Sequence, residues 1–281
     1  YVALPNISRA IRELENDLGI VIFERSAKGT TLTPEGDEFI GYAKGILRQI
    51  RHVEKMYKES GPAKQKFSIS VPRACYISDA FVNFSLQLTD APAEVFYKET
   101  NSQRTIHNLV NHDYKLGIIR YAENYEQYFT SMLAEKGLCG ELVTEFSYQL
   151  IMSSRSPLAQ KQSITFDDLS AFIEIAHADP YVPSLPMAKV IKEELPDNID
   201  RRIFIFERGS QFELLNRNPN TFMWVSPVPC EQLARHDLVQ KTCTENKKVY
   251  RDVLIYRNGY KLTELDRKFI AALNQAKARH L

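Results

Sequence analysis

The stretch NISRAIRELENDLG, residues 6–19, sets the reading of the whole chain. Ile7, Ala10, Ile11, Leu14 and Leu18 repeat at the helical period, while Ser8, Arg9, Arg12 and Asn16 take another side. The spacing predicts one helix with one buried stripe. Pro5 suits its first turn, where a missing N–H costs nothing, and Gly19 suits its C-terminal cap. Ile20-Val21-Ile22-Phe23 follows, then Glu24-Arg25 and SAKGTTLT, with Gly29 among small polar residues and Leu32 resuming the apolar pattern. A helix followed by a hairpin with a glycine-containing tip is the outline of a winged helix.

Bulk composition neither supports nor excludes a polyanionic partner. The chain has 281 residues, 44% hydrophobic and 25% charged, with a net charge of +1. That length exceeds the usual single domain and predicts two or more packing units. In residues 1–60 nine Lys and Arg face nine Asp and Glu, a balance of zero. Two readings of the polar helix face stay open: a solvated surface, or a face laid in a DNA groove by its basic N-terminal half. Cys75, Cys139, Cys230 and Cys243 form no CxxC pair and no disulfide framework, which leaves reduced, partly buried thiols. No apolar run approaches the roughly 18 residues that span a bilayer, and no secretory signal is present, so no membrane partner and a cytoplasmic location are expected. The chain opens at Tyr1 without Met.

The segment PNISRAIRELENDLGIVIFERSAKGTTLTPEG strongly resembles the recognition helix and wing of LysR-type transcriptional regulators. Pro5, Ser8, Ile11, Leu14, Glu15, Leu18, Gly19, Phe23, Arg25, Leu32, Thr33 and Gly36 carry the match. The resemblance implies a first helix upstream of Tyr1-Val2-Ala3 and double-stranded DNA as partner. Its candidate contacts are Pro5, Asn6, Ser8, Arg9 and Arg12 on the helix, with Arg25 and Lys28 on the wing. Arg25 has a second reading, a pair with Glu15 inside the domain. Ala3-Leu4 stands where the family usually has Ser or Thr followed by Gln, which removes a favoured N-cap and a polar base reader.

TPEGDEFIGYAKGILRQIRHVEKMYKES opens with Thr33 as N-cap and Pro34 at the first helical position. Phe39, Ala43, Ile46, Ile50, Val53 and Tyr57 advance in steps of four and three, a coiled-coil seam about 28 Å long. The alternatives are a helix lying on its own domain and a homodimer seam; the narrow stripe favours the second. A dimer, and by extension a dimer of dimers, would set two half-sites near one turn of DNA. In the LysR family this segment is the dimerising linker helix. The expected organisation is head 1–33, linker helix 34–60, hinge 61–66 (GPAKQK) and effector domain 67–281, with subdomain I at about 67–148 and 250–281 and subdomain II at about 149–249.

Beyond the hinge, strand-like and helical segments alternate: KFSISV, YISDAFVNFSLQL, AEVFYKE, SQRTIHNLVN, KLGIIR and NYEQYFTSMLAEKG. After FSYQLIMSS come AFIEIAH, MAKVIKEEL, RRIFIFE, SQFELLNR and TFMWVS, then KVYRDVLIYRN and LTELDRKFIAALNQAKA. This order predicts α/β architecture with largely parallel sheets, and ligands beyond the carboxyl ends of the strands. It is similar to the periplasmic-binding-protein-like effector domain of the LysR family, with a small molecule between two Rossmann-like subdomains. Candidate effector residues sit at strand–helix junctions: Arg73, Ala74, Cys75 and Tyr76; Thr100, Asn101 and Ser102; Gly209, Ser210 and Gln211; and Ser226. Helix-start N–H groups and hydroxyls favour a small anion, and Arg73 adds to that preference; ordinary caps and turns are the alternative. GxSxG, P-loop, strand-linked GxGxxG and HExxH motifs are missing, and the six histidines form no metal-like group. No catalytic residue, metal or cofactor is therefore expected. The rival readings are an α/β enzyme, to which no motif points, and a solute-binding protein, which leaves the first sixty residues idle and lacks an export signal.

Overall fold

The computed structural model describes residues 4–26, 29–58, 64–178 and 199–280. The chain divides into two compact units, Tyr1–Ala63 and Lys64–Leu281.

In the first unit, α1 (Leu4–Leu18) ends at Gly19, whose φ of +68° only glycine adopts without strain. Ile20 N–H then reaches back to the Glu15 carbonyl at 3.2 Å, closing a Schellman turn. β1 (Phe23–Ser26) and β2 (Gly29–Leu32) pair antiparallel from Phe23↔Leu32 to Ser26↔Gly29. Thr33 caps α2 (Pro34–Lys58): its hydroxyl accepts from Gly36 N–H at 2.8 Å and donates to the Val21 carbonyl. Gly36 is required here, because a Cβ would stand 2.2 Å from the Ile22 carbonyl oxygen.

The expected buried stripe of α1 is corrected. Ile7, Leu14 and Leu18 are 46%, 39% and 46% exposed, and Ala10 is exposed as well. The reason is a shortage of cover. β2 is exposed along its whole length, and Ile22 is the one buried apolar side chain among the described residues of this unit.

The second unit holds two five-stranded sheets, which define two lobes. The first lobe carries β3 (Gln65–Val71), β4 (Ala93–Glu99), β5 (Leu116–Ala122), β6 (Leu138–Phe146) and β12 (Tyr250–Arg257) in the order β4-β3-β5-β12-β6. Its helices are α3 (Cys75–Ser85), α4 (Ser102–Val110), α5 (Glu126–Glu135) and the closing α9 (Glu264–His280). The second lobe carries β7 (Gln149–Ser153), β8 (Ile173–His177), β9 (Arg202–Ile205), β10 (Thr221–Val225) and β11 (Leu238–Lys241) in the order β11-β7-β10-β8-β9. Short helices α6 (Phe166–Leu169), α7 (Gln211–Arg217) and α8 (Cys230–Arg235) accompany it. The expected helix MAKVIKEEL lies outside the described residues.

The sheets are mixed where largely parallel ones were expected. Each has two parallel and two antiparallel pairings. The reversed strands are β12 in the first sheet and β7 in the second, each antiparallel to both of its neighbours; the chain passes from one lobe to the other between β6 and β7 and returns between β11 and β12. β3 begins at Gln65, so the last two residues of the expected hinge belong to a strand. Phe67 of β3, Phe84 of α3 and Phe269 of α9 meet in tilted and edge-to-face pairs with centroids 4.5 to 5.9 Å apart and fill one side of the first sheet. Ile106, Leu109, Phe129 and Leu133 of α4 and α5 cover the other. Covered on both faces, β5 reads as a near-continuous apolar run, while β3 alternates Phe67, Ile69 and Val71 with serines.

Candidate functional site

On the head, Ser8, Arg9 and Arg12 share one face of α1 by their three- and four-residue spacing. Asn6, Arg9 and Arg12 are exposed and Ser8 is half-buried. Arg9 Nε lies 2.9 Å from Glu13 Oε1 one turn on, both side chains largely in water. Such an exposed pair contributes about 0.3–0.5 kcal/mol, little resistance to exchanging the carboxylate for a phosphate. Glu15 has a different job. Its carboxylate accepts from Ile22 N–H at 2.7 Å and Phe23 N–H at 3.1 Å, tying the hairpin's entry to the helix. The side chains of Pro5 and Arg25, and all of Lys28, lie outside the described residues.

Along α2, Phe39 and Ala43 are half-buried, whereas Ile46 and Ile50 are 59% and 49% exposed. Tyr42 and Leu47 are also exposed, so the apolar face is wider than the expected seam. The side chains of Val53 and Tyr57 lie outside the described residues.

In the second unit the candidates at the carboxyl ends of β3, β4, β9 and β10 come together in two groups. One group is spent on the framework. Tyr76 is fully buried, and its hydroxyl donates to Asp252 Oδ2 at 2.6 Å. Asn101 caps α4 by accepting from Arg104 N–H at 2.9 Å. Ser102 Oγ is bonded to both the carbonyl and the N–H of Arg120. The other group meets across the lobes. Arg73 donates to the Phe206 carbonyl at 2.7 Å, and Cys75 packs into the apolar core of the second lobe. Ala74, Thr100, Gln211 and Ser226 are buried, while Gly209 and Ser210 are exposed.

Two ion pairs escaped the sequence reading. Arg120 on β5 grips Asp252 on β12 through Nε and Nη2, both at 2.7 Å. Its guanidinium also lies over the Phe146 ring at 4.6 Å. Burial opposes the Arg120 charge, yet Asp252 beside it outweighs burial and holds the proton more firmly than usual. Burial, and then the neighbouring Asp252, pushes the Tyr76 phenol well up. The second pair joins the lobes. Arg208, which follows β9, places Nη1 2.7 Å from Glu99 Oε1 at the end of β4 and Nη2 2.8 Å from Cys75 Sγ. Burial raises the Cys75 thiol, with Arg208 pulling the other way. The signal was present in sequence: a charge inside an apolar run, as in KLGIIR and RDVLIY, asks for a buried partner. Among the described residues, no three His, Cys, Asp or Glu side chains gather as a metal site. No described helix is long and apolar enough to cross a membrane.

The described residues thus form a helix-and-hairpin unit and a two-lobed α/β unit. Residues 1–37 match the family of bacterial regulatory helix-turn-helix proteins, lysR family. Regulatory protein NocR of Agrobacterium tumefaciens (strain T37) is 29% identical over 173 residues, 60% of this chain and 53% of that protein. The chain thus spans about half the length of the curated relatives it matches. The crystal structure of CbnR, a LysR family transcriptional regulator, shares the fold at 16% identity with a TM-score of 0.56, covering 98% of this chain and 90% of that one. The effector-binding domain of QuiR in complex with shikimate matches at 16% identity and a TM-score of 0.50, over 78% of this chain and all of that domain.

Proposed function

We propose that the protein is a cytoplasmic, sequence-specific DNA-binding transcriptional regulator that pairs through α2 and senses a small, anionic molecule between its lobes. The observation carrying this reading is the head: a helix whose Ser8, Arg9 and Arg12 share an accessible face, joined to a hairpin within a segment that matches the LysR helix-turn-helix family. Guanidiniums on that face suit phosphates and guanine edges, and Asn6 suits adenine. Ile46 and Ile50 support pairing, because an apolar stripe on an otherwise charged helix gains from a twin. Effector binding at the carboxyl ends of the strands would bias the arrangement of the two lobes.

The test is anisotropy titration against a duplex selected by the full chain from a random pool, across a range of salt. Removing one side chain that neutralises a phosphate reduces the log–log salt slope by about 0.9. Arg9→Ala and Arg12→Ala each weaken binding and flatten the slope if this face meets DNA. Unchanged affinity and slope in both variants would return the face to solvent.

A further inference from the structure

Arg120 and Arg208 show what a saturated pair and an unsaturated one look like in the same domain. Arg120 holds Asp252 in a two-point fork with side chains 9% and 0% exposed. Arg208 holds Glu99 by a single short contact, with side chains 17% and 20% exposed. Its Nη2 goes to Cys75 Sγ, a weak acceptor, and the Nη1 that holds Glu99 also reaches the Ala74 carbonyl at 3.5 Å. Guanidinium geometry fits a carboxylate through two parallel bonds, and here that fit is half used. Glu99 in turn shares Oε1 with the Tyr97 hydroxyl at 3.2 Å, so it keeps a donor when Arg208 leaves it. A further acceptor stands three residues on, at the start of α7: Gln211 is 2% exposed, and its carboxamide oxygen is buried with no donor among the described residues. All of this lies at the carboxyl ends of β4 and β9, where open α/β sheets take ligands.

From these contacts we propose that Arg208 is the anchor for the carboxylate of a small organic acid, and that Glu99 is a built-in competitor occupying the anchor until the acid arrives. The proposal rests on the effector reading above and gives it a ligand class and a switch. The incoming carboxylate takes both guanidinium edges, Glu99 turns to Tyr97 and solvent, and the direct Arg208–Glu99 tie between the lobes becomes a ligand-bridged one. No covalent step is involved.

The experiment is calorimetric titration of the full chain with sodium benzoate, succinate and glycolate, using benzamide as the neutral counterpart of benzoate. Circular-dichroism melts of each variant report folding. At least one of the three acids binds the wild type, and benzamide does not. Glu99→Gln tightens that acid about tenfold by removing the competitor, Arg208→Gln weakens it at least tenfold, and Arg208→Lys falls between. The proposal is overturned if benzamide binds as well as benzoate, if Glu99→Gln leaves acid binding unchanged or weaker, or if folded Arg208→Gln keeps it. It is also overturned if neither wild type nor Glu99→Gln binds any of the acids at millimolar concentration. A parallel titration with putrescine and glucose separates the two levels. Binding of either, untouched by Arg208→Gln, keeps the cleft as a sensor while removing this anchor; silence from every probe counts against the sensor itself.

Discussion

Asp252→Ala is the sharpest perturbation of the larger unit, because it strands a charge that cannot be given up. Asp252 is fully buried and takes two bonds from Arg120 and one from Tyr76. Removing one partner of a buried pair costs about 3–5 kcal/mol, since the other charge is left without compensation. The Phe146 ring 4.6 Å away and the Tyr148 ring 5.8 Å away face the guanidinium before and after the change, and so do not alter that difference. The expected loss is therefore about 3–5 kcal/mol. Arg120→Met costs less, because the abandoned carboxylate can take a proton whereas a guanidinium cannot lose one. The double variant Arg120→Met/Asp252→Leu recovers most of the loss, to within about 1 kcal/mol of wild type, by replacing the pair with apolar bulk. Urea unfolding followed by circular dichroism reads all three, at unchanged denaturant slope. A loss below about 1 kcal/mol for Asp252→Ala, or a double variant no better than the single one, would refute the reasoning.

Gly36→Ala drives a methyl to 2.2 Å from the Ile22 carbonyl and should lower the melting point of the head, with Glu35→Ala nearby as a tolerated control in differential scanning calorimetry. Ile46→Glu with Ile50→Glu should shift sedimentation from dimer toward monomer, because two carboxylates replace the most exposed apolar residues of the α2 seam among the described side chains. In the native protein exposed Cys230 should react with iodoacetamide first, while buried Cys75 and Cys243 wait for unfolding, as peptide mapping would show. The Cys75 thiol, raised by burial, favours the folded state with its proton on; that contribution is complete below the unfolded thiol value of about 8.5 and is lost as pH rises through the folded one. Cys75→Ser should accordingly flatten the alkaline limb of the stability curve; an unchanged limb would contradict the assignment.

Local signals made the head readable. Gly19 stops α1 with a backbone angle that few other residues accept, and Thr33-Pro34 starts α2 with a cap and a ring already set for the first turn. In the larger unit the alternation of β3, α3, β4, α4 and β5 is likewise visible, because each element carries its own period. What sequence could not supply was partnership at a distance. Arg120 and Asp252 are 132 residues apart, and Arg208 reaches Glu99 across 109. No period links them; only the charge inside an apolar run hints that a partner exists. The direction of β7 and β12 was hidden for the same reason, since it depends on where the chain leaves one lobe and returns. Ser102 and Tyr76 looked like ligand groups because hydroxyls at helix starts serve either purpose, and their bonds here run to Arg120 and Asp252. The exposed stripe of α1 shows the limit of periodicity, which tells which face is apolar and not what covers it.

The central claim is that the polar face of α1 lies against duplex DNA. Placing the photoreactive residue p-benzoylphenylalanine at position 12, and separately at Leu142 on an exposed strand position of the other unit, tests it directly. Irradiation of the full chain with its selected duplex should cross-link DNA from position 12 and not from position 142. Equal yields from both positions, or none from position 12 under conditions where the duplex is bound, would contradict the account.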